Sequence, residues 1–352
     1  MSWIRKLPTV GTMKIVLPYN THFGEYNSDI IVGGIEKFCH QIVENFPNVE
    51  IINIDNNEPI KENTTKIKNF ARSVDADIII SNWNQASFSG SKMLDSEIPI
   101  MYVGHGHVNM GSILSTIDNL RNKNHSVYFV SQYQYDWYRS MSKRMRGKDF
   151  FIDGYINSSY VDGDKPKLLP IEYDCATIGR CDPVEKKPFI MKQWLKDTDY
   201  KSILLTNSPP NEQCEKYYNK NSHWDGVLMN LKHSDVMKTL SKSMTYFSTC
   251  HNETWGITAL ESLSHGVPII LNSKNNKHAS TSICASDNHY RLVSNKSELI
   301  NAIKSFSNVD RKEIQDMTWE KHSKESWISQ MNKCMWDTID KFKRSTVMDF
   351  VV

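Results

Sequence analysis

Short apolar runs alternate along the chain with longer segments in which apolar residues recur at helical spacing. The runs of the first half begin at Lys14, Glu50, Ala76, Ile98 and Ser126, and read KIVLPY, EIINI, ADIIIS, IPIMYVG and SVYFVS. Apolar runs of this length, separated by helical periodicity, are typical of βα units and a parallel sheet. Residues 1–12 precede Met13 and the first predicted strand, and this prediction leaves them out.

A polar segment, NSSYVDGDKPKLLP from Asn157, interrupts the alternation with Gly, Asp and Pro. That composition predicts a linker between two domains. The βα pattern then resumes, with the apolar runs YDCATIG, SILLTN, GVLMN, MTYFST, VPIIL and HYRLV. The sequence therefore predicts a second parallel sheet after the linker.

From about Arg311 the apolar spacing is helical throughout, and this segment carries Trp319, Trp327 and Trp336. These tryptophans are either ordinary core anchors or residues that fix a terminal helix against the first domain. We predict Rossmann-like domains at residues 13–160 and 171–325, and a C-terminal helix at 326–352 that returns to the first domain.

Length and composition narrow the possible functions. A chain of 352 residues suits two domains. Lys and Arg number 42 against 40 Asp and Glu, so any polyanionic partner must be bound by a local patch. The seven cysteines are scattered, without a C-x-x-C pair, which argues against a disulfide framework or a structural zinc site. With no signal peptide and no membrane-length apolar stretch, a cytoplasmic protein is expected.

The segment from His251 to Leu271, HNETWGITALESLSHGVPIIL, is the richest in candidate chemistry. It runs from a predicted strand through a polar loop into a helix, at the edge where parallel sheets bind ligands. A helix N-terminus there presents unpaired N–H groups to a phosphate, in this case those of Gly256, Ile257 and Thr258. Gly256 lacks a Cβ, so a diphosphate could approach closely.

Two glutamates flank this helix start. Glu253 lies in the loop before the helix and Glu261 about one turn inside it. Thr258-x-x-Glu261 also fits a capping box, in which the two side chains cap the helix and bind no ligand. The spacing alone leaves both interpretations open.

The segment closely resembles the donor-site motif of retaining glycosyltransferase family 4: two glutamates in the same spacing, a glycine between them, and a small-residue turn that ends in Gly266-Val267-Pro268. The resemblance implies a GT-B fold, with two Rossmann-like domains facing a cleft and a C-terminal helix crossing back. It implies that Glu253 meets the hydroxyls of the donor sugar and Glu261 the nucleotide ribose. It further implies a nucleotide-sugar donor, expected to be UDP-linked, with retention of anomeric configuration and no cofactor or metal.

A second match is IGRCDPVEKKP, from Ile178 to Pro188, which follows the first predicted strand after the linker. It resembles the G-R…K motif of the same family, and the resemblance places Arg180 and Lys186 on the donor diphosphate. Fixed cations there would stabilise the negative charge that develops on the leaving phosphate. Lys187 could exchange roles with Lys186, and a solvated basic cluster is the alternative interpretation.

The first domain carries weaker matches. VGGIEKF, from Val32, resembles the family's glycine-rich loop, which implies that Gly33 and Gly34 lie near the diphosphate and acceptor, although a plain turn has the same composition. His105 follows the strand IPIMYVG, where family members carry a histidine near the transferred sugar, and His107 is the second choice. The chain departs from the family at TNSPPNEQ, from Thr206, which lacks the glycines that contact the nucleotide base.

The acceptor is suggested by a basic run, RSMSKRMRGK, from Arg139 to Lys148. A solvated helix face, a DNA-backbone site and an anionic-lipid site all fit this run, but it lacks the apolar face of a membrane-lying helix. The whole chain is compact and rich in Asn, Lys and Ile. In these respects it is similar to the enzymes of T-even-like phages that glycosylate 5-hydroxymethylcytosine in DNA. We therefore expect double-stranded DNA with a hydroxymethylated pyrimidine as the acceptor, in the host cytoplasm if the chain is phage-encoded.

Two other functions stay open at this point. A bacterial transferase that builds lipopolysaccharide or capsule would share the donor motifs. A non-catalytic protein that binds sugar nucleotides or DNA would belong to another class, although Glu253, Glu261, Arg180 and Lys186 together argue against it.

Overall fold

The computed structural model describes residues 12–20, 34–55, 57–82, 96–105, 120, 124–147, 152–179, 186–206, 225–229, 231–250, 253–273 and 278–348. The chain divides into two compact units. The first consists of Met1–Ser159 together with Glu325–Val352, and the second is Tyr160–Lys324.

The first unit is built on a six-stranded parallel sheet in the order β2-β1-β3-β4-β5-β6. Its strands are β1 Ile15–Asn20, β2 Val49–Ile54, β3 Ile78–Asn82, β4 Ile100–Gly104, β5 Ser126–Phe129 and β6 Gly154–Tyr155. Its helices are α1 Gly34–Asn45, α2 Ile60–Ser73 and α3 Gln132–Arg146, together with the C-terminal helix described below. Every residue of β3 and β4 is buried, as expected for central strands of a parallel sheet covered on both faces.

The second unit repeats this architecture with a six-stranded parallel sheet in the order β12-β11-β10-β7-β8-β9. Its strands are β7 Tyr173–Ile178, β8 Ser202–Thr206, β9 Gly226–Met229, β10 Ser243–Ser248, β11 Ile269–Asn272 and β12 Tyr290–Val293. Its helices are α4 Phe189–Leu195, α5 His233–Ser241, α6 Ile257–Ser264, α7 Lys296–Ser305 and α8 Arg311–Lys321, with two short 3₁₀ turns at Ala279–Ser282 and Asp287–His289.

The α/β fold class is confirmed, because two parallel six-stranded sheets carry surrounding helices. Each apolar run of the sequence coincides with a strand, from β1 to β5 and from β7 to β12. The two-residue strand β6 was not predicted, since so short a strand has no periodicity to detect.

The last helix, α9 (Lys324–Met348), packs within the first unit. Trp327 is 2% exposed, its indole Nε1 donates to the carbonyl of Asn157 at 2.9 Å, and its ring meets Phe38 edge-on. Further along the helix, the ammonium of Lys341 donates to the carbonyl of His125 at 3.0 Å and to Asp153 Oδ1 at 2.8 Å. The helix is therefore joined to this sheet at both of these points. No helix in the described part of the chain is long and apolar enough to cross a membrane.

In the second unit, helix α6 is fixed at its C-terminal end by helix α8. The carbonyl of Ser264 accepts hydrogen bonds from Gln315 Nε2 at 3.1 Å and from the Trp319 indole at 3.0 Å. Arg311 donates to the carbonyl of Gly266 at 3.1 Å and to that of Ser241, the last residue of α5, at 2.6 Å. A guanidinium at two helix C-termini satisfies carbonyls that lack intrahelical partners and faces the negative ends of both dipoles.

This arrangement predicts that Arg311→Ala destabilises the second unit. The substitution leaves carbonyl groups of Ser241 and Gly266 without their donor, and we expect the free energy of unfolding to fall by about 2–4 kcal/mol in urea titrations. The control is Arg344→Ala, which removes an exposed pair with Asp340 on α9 and should change the free energy by less than about 0.5 kcal/mol. Equal effects of the two variants would contradict this role.

Candidate functional site

The candidate residues of the second unit lie at the carboxyl edge of its sheet. Strands β7 and β10 are neighbours and run parallel, so the segments that follow them leave the sheet at the same edge. Lys186 lies in the segment after β7, and Glu253 lies in the segment after β10 that leads into α6. This is the edge at which open parallel sheets bind ligands.

Helix α6 begins at Gly256, whose φ of 94° is left-handed. A Cβ at this position would lie 2.3 Å from the hydroxyl oxygen of Ser280, so only glycine fits. The sequence suggested that a ligand needs this glycine, but packing against Ser280 is already a sufficient reason. The 3₁₀ turn that carries Ser280 therefore fixes where the helix begins.

The N-terminus of α6 has no side-chain cap. The first helical bonds run from the N–H groups of Ala259 and Leu260 to the carbonyl of Gly256, at 2.9 and 3.1 Å. Since Gly256 is the N-cap and no side chain caps it, the capping-box interpretation of Thr258 and Glu261 is wrong. The N–H groups of Ile257 and Thr258 precede these bonds and point out of the helix end, where they and the dipole favour an anion.

Glu253 forms an ion pair with Lys186, whose ammonium donates to Oε1 of the carboxylate. The side chains are 19% and 31% exposed, so water screens the pair only partly. Burial by itself raises the pKa of Glu253, but the Lys186 charge and hydrogen bond, with a smaller hydrogen-bond contribution from Cys250, outweigh it and lower the pKa below its usual value. The carboxyl group is therefore ionised at neutral pH. Of the two lysines that the sequence left open, Lys186 is the one that reaches Glu253.

Neighbouring groups hold both members of this pair in place. His278 Nε2 donates to the carbonyl of Cys250 at 2.8 Å, while its Nδ1 accepts from the N–H of Ser280 at 3.2 Å, which fixes a neutral imidazole with its proton on Nε2. The hydroxyl of Thr249 donates to the carbonyl of Lys186. Hydrogen bonds therefore connect the segments around Glu253 and Lys186 to the residues that follow β10.

Glu261 lies on the second turn of α6 and is paired with a histidine. Its Oε1 accepts a hydrogen bond from His233 Nε2 at 3.0 Å. The Glu261 side chain is 15% exposed, whereas that of His233, the first residue of α5, is 68% exposed. The carboxylate is therefore fixed between two helices.

In the first unit, His105 follows β4 and is buried. Its ring lies edge-on against Phe38 of α1, with the ring centroids 4.8 Å apart. Burial lowers the pKa of His105 to about 3, so the imidazole is neutral at physiological pH.

Gly34 is the first residue of α1. Gly33, His107 and Arg180 lie outside the described residues.

His233, His278 and Cys250 complete the surroundings of the two glutamates, and sequence reasoning did not identify them. Each is an isolated residue, and none shares a motif with the glutamate it serves. His233 lies 28 positions before Glu261, and His278 lies 28 positions after Cys250. Only the folded sheet brings these groups together.

The Lys186–Glu253 pair predicts a pH-dependent contribution to stability. Lys186→Met keeps the apolar stem and removes the charge, so the free energy of unfolding at pH 7 should fall by about 2 kcal/mol. Because the folded protein lowers the pKa of Glu253, the contribution is complete above the ordinary value of 4.5 and is lost as pH falls through the lower, folded value.

Urea titrations at several pH values test this prediction. The difference between wild type and Lys186→Met should shrink as the solution is acidified below the ordinary pKa of the carboxyl group. Lys66→Met is the control, since Lys66 pairs with Glu58 on the surface and should contribute less than about 0.5 kcal/mol. A difference that stays constant with pH would contradict the assignment.

Comparison with known proteins shows which known fold the chain resembles. No protein-family model and no curated protein sequence matches the chain. Among solved structures, TarM of S. aureus is 15% identical, with a TM-score of 0.58, and the match covers 78% of this chain. The chain spans only 58% of the length of TarM.

Two other similar structures match nearly end to end. The lipopolysaccharide outer core galactosyltransferase WaaB is 13% identical, with a TM-score of 0.63, and the match covers 92% of this chain and 99% of WaaB. The beta-glucosyltransferase of T4 phage is 14% identical, with a TM-score of 0.53, and the match covers 92% of this chain and 99% of that enzyme. At these identities the likeness concerns architecture, and the architecture is the GT-B fold of glycosyltransferases.

Proposed function

We propose that this protein is a retaining glycosyltransferase that moves a sugar from a nucleotide-sugar, specifically a UDP-sugar, to an acceptor hydroxyl. The observation that carries the proposal is the Lys186–Glu253 pair beside the uncapped N-terminus of α6. A cation, an ionised carboxylate and outward-pointing N–H groups lie together at the ligand-binding edge of a parallel sheet. The GT-B architecture supports the same function.

Each donor residue has a chemical role in this proposal. Gly256, Ile257 and Thr258 present the helix N-terminus to the diphosphate, with Arg180 and Lys186 as its cations. Glu253 accepts hydrogen bonds from the sugar hydroxyls, and Glu261 accepts them from the ribose. An ammonium has three N–H donors, so one lysine can bind a carboxylate and a phosphate together.

The reaction breaks the bond between the anomeric carbon and the β-phosphate oxygen. The acceptor oxygen bonds to that carbon on the same face, and its proton passes to the departing phosphate oxygen, so the configuration is retained. Negative charge grows on the phosphate as the bond breaks, and Lys186 and Arg180 stabilise the transition state more than the ground state. In this scheme side chains supply the positive charge, and no metal or cofactor is required.

His105 has a different role from these cations. Its low pKa keeps the imidazole neutral, so near the transferred sugar it offers a hydrogen bond without a charge. Gly34 is the first residue of α1, and the sequence motif that it shares with Gly33 suggests that both lie near the diphosphate and acceptor.

For the acceptor, we propose the hydroxymethyl group of 5-hydroxymethylcytosine in duplex DNA. Lys143 and Arg144 are exposed neighbours on α3, and Arg139 of the same helix is exposed and lies over the ring of Tyr135. The helix is well defined at both ends, because Ser131 caps its N-terminus and Gly147 closes its C-terminus. The helix buries Tyr138 in the core and exposes basic residues, and such an exposed face suits a phosphate backbone better than a lipid surface.

The alternative acceptor is a bacterial lipopolysaccharide or capsule glycan. The end-to-end likeness to WaaB, a lipopolysaccharide galactosyltransferase, is the observation that favours it. A non-catalytic protein that binds sugar nucleotides or DNA is the remaining class, and measured transfer would exclude it.

Loss of a cationic side chain that contacts the diphosphate is expected to lower turnover severely. Arg180→Ala and Lys186→Ala should each reduce the rate of sugar transfer about 100-fold or more, with an unchanged circular dichroism spectrum. Lys187→Ala is the matched control and should stay within about threefold of wild type. Mass spectrometry of acceptors incubated with a panel of sugar nucleotides provides the assay. Near-normal turnover of Lys186→Ala would contradict the donor site.

Binding to DNA is expected to depend on salt through α3. Replacing Lys143 and Arg144 by Ala should weaken binding to hydroxymethylated duplex and reduce the slope of log affinity against log salt by about 2. Hydrolysis of the sugar nucleotide without DNA should not change. Lys61→Ala with Lys66→Ala, on exposed positions of α2, changes the net charge equally and serves as control. A wild-type protein that hydrolyses the donor but shows no salt-sensitive binding to this duplex would favour the glycan acceptor.

A further inference from the structure

We infer that His233 is a positioning residue of the nucleotide subsite: it orients the Glu261 carboxylate toward the ribose hydroxyls. This inference rests on the proposed function, in which Glu261 receives the ribose. Neither glutamate motif of the sequence includes His233, and the structure alone brings it to Glu261.

The geometry of the contact determines which atom donates. Glu261 as a carboxylate only accepts hydrogen bonds, so the 3.0 Å contact requires a proton on His233 Nε2. A carboxylate has about four acceptor positions on its two oxygens, and His233 occupies one of them, on Oε1. The bond limits rotation of the carboxylate about its last torsion, which is the motion that would misdirect it from a ribose.

The exposure of the two side chains argues against a purely structural purpose. His233 is 68% exposed and Glu261 is 15% exposed, so the imidazole reaches from solvent onto a carboxylate that is nearly covered. A contact with one exposed partner adds little to stability. Its main consequence is therefore the orientation of Glu261.

The helices behind the two residues make this orientation rigid. His233 begins α5 and Glu261 lies on α6, and the C-terminal ends of both helices are held by Arg311, through the carbonyls of Ser241 and Gly266. Met237 and Leu240 anchor α5 in the core of the second unit. The imidazole therefore holds the carboxylate from a helix whose position is fixed independently of any ligand.

The test compares UDP with 2′-deoxy-UDP by isothermal titration calorimetry. Wild type should bind UDP about tenfold more tightly than the deoxy compound, because a carboxylate–hydroxyl bond is lost. His233→Ala should weaken UDP binding about 5- to 10-fold and reduce this discrimination to about twofold. His233→Gln retains an N–H donor and should stay within about threefold of wild type. Lys238→Ala, exposed on the same helix, is the control.

Kinetics separate positioning from a structural role. His233→Ala should raise KM for the donor about as much as it weakens UDP binding, with kcat within about twofold of wild type. A lower melting temperature with unchanged discrimination between the two nucleotides would overturn the inference.

The remaining outcomes distinguish this inference from the proposed function. If Glu261→Ala abolishes the discrimination and His233→Ala does not, the donor site stands and the role of His233 is overturned. If wild type binds no uridine nucleotide, the proposed donor and this inference fail together.

Discussion

The candidate site depends on helix α6, whose C-terminal end is held by side chains of α8 and whose N-cap residue, Gly256, has no side chain. At its C-terminal end, the carbonyls of Ser264, His265 and Gly266 accept hydrogen bonds from side chains of α8, namely Gln315, Trp319 and Arg311. At its N-terminal end, Gly256 provides no side-chain cap. Since a helix needs partners for both sets of terminal groups, an end without a side-chain cap depends on water or a ligand. Helix α6 starts at the sheet edge, so the positive end of its dipole and the N–H groups of Ile257 and Thr258 lie there.

The charged groups in the segments near this helix end, Lys186 and Glu253, depend on each other. Burial alone would raise the pKa of Glu253, and the charge and hydrogen bond of Lys186 outweigh it and keep the carboxyl group ionised. The pair also keeps the ammonium on a carboxylate in the loop that leads into α6. An incoming diphosphate would meet a lysine already in place, so less side-chain entropy remains to be lost on binding. In the proposed donor site, the partner of the lysine would thus preorganise it for a diphosphate.

Much of the fold could be predicted from sequence, because buried parallel strands are short apolar runs with recognisable ends. The runs at Lys14 and at Ala76, for example, are β1 and β3 almost to the residue. Short-range spacing also placed Glu253 and Glu261 around one helix start. It could not decide between a cap and a ligand for Glu261, because a capping box and a binding motif share the same three-residue spacing. The backbone at Gly256, which begins the helix before Thr258, excludes the capping box, and the ribose role of Glu261 stays a prediction.

The two histidines that sequence reasoning missed share one physical property: each acts on a distant residue through the fold. His278 holds the backbone of Cys250, and His233 holds the carboxylate of Glu261, each from a separate element of the second unit. Such partners need only a ring nitrogen at the correct distance, so they produce no pattern along the chain. For His233 and Glu261, the helices α5 and α6 that carry them set this distance, and Arg311 of α8 contacts the C-terminal ends of both helices. The polar geometry around Glu261 therefore depends in part on contacts at the opposite ends of the same two helices.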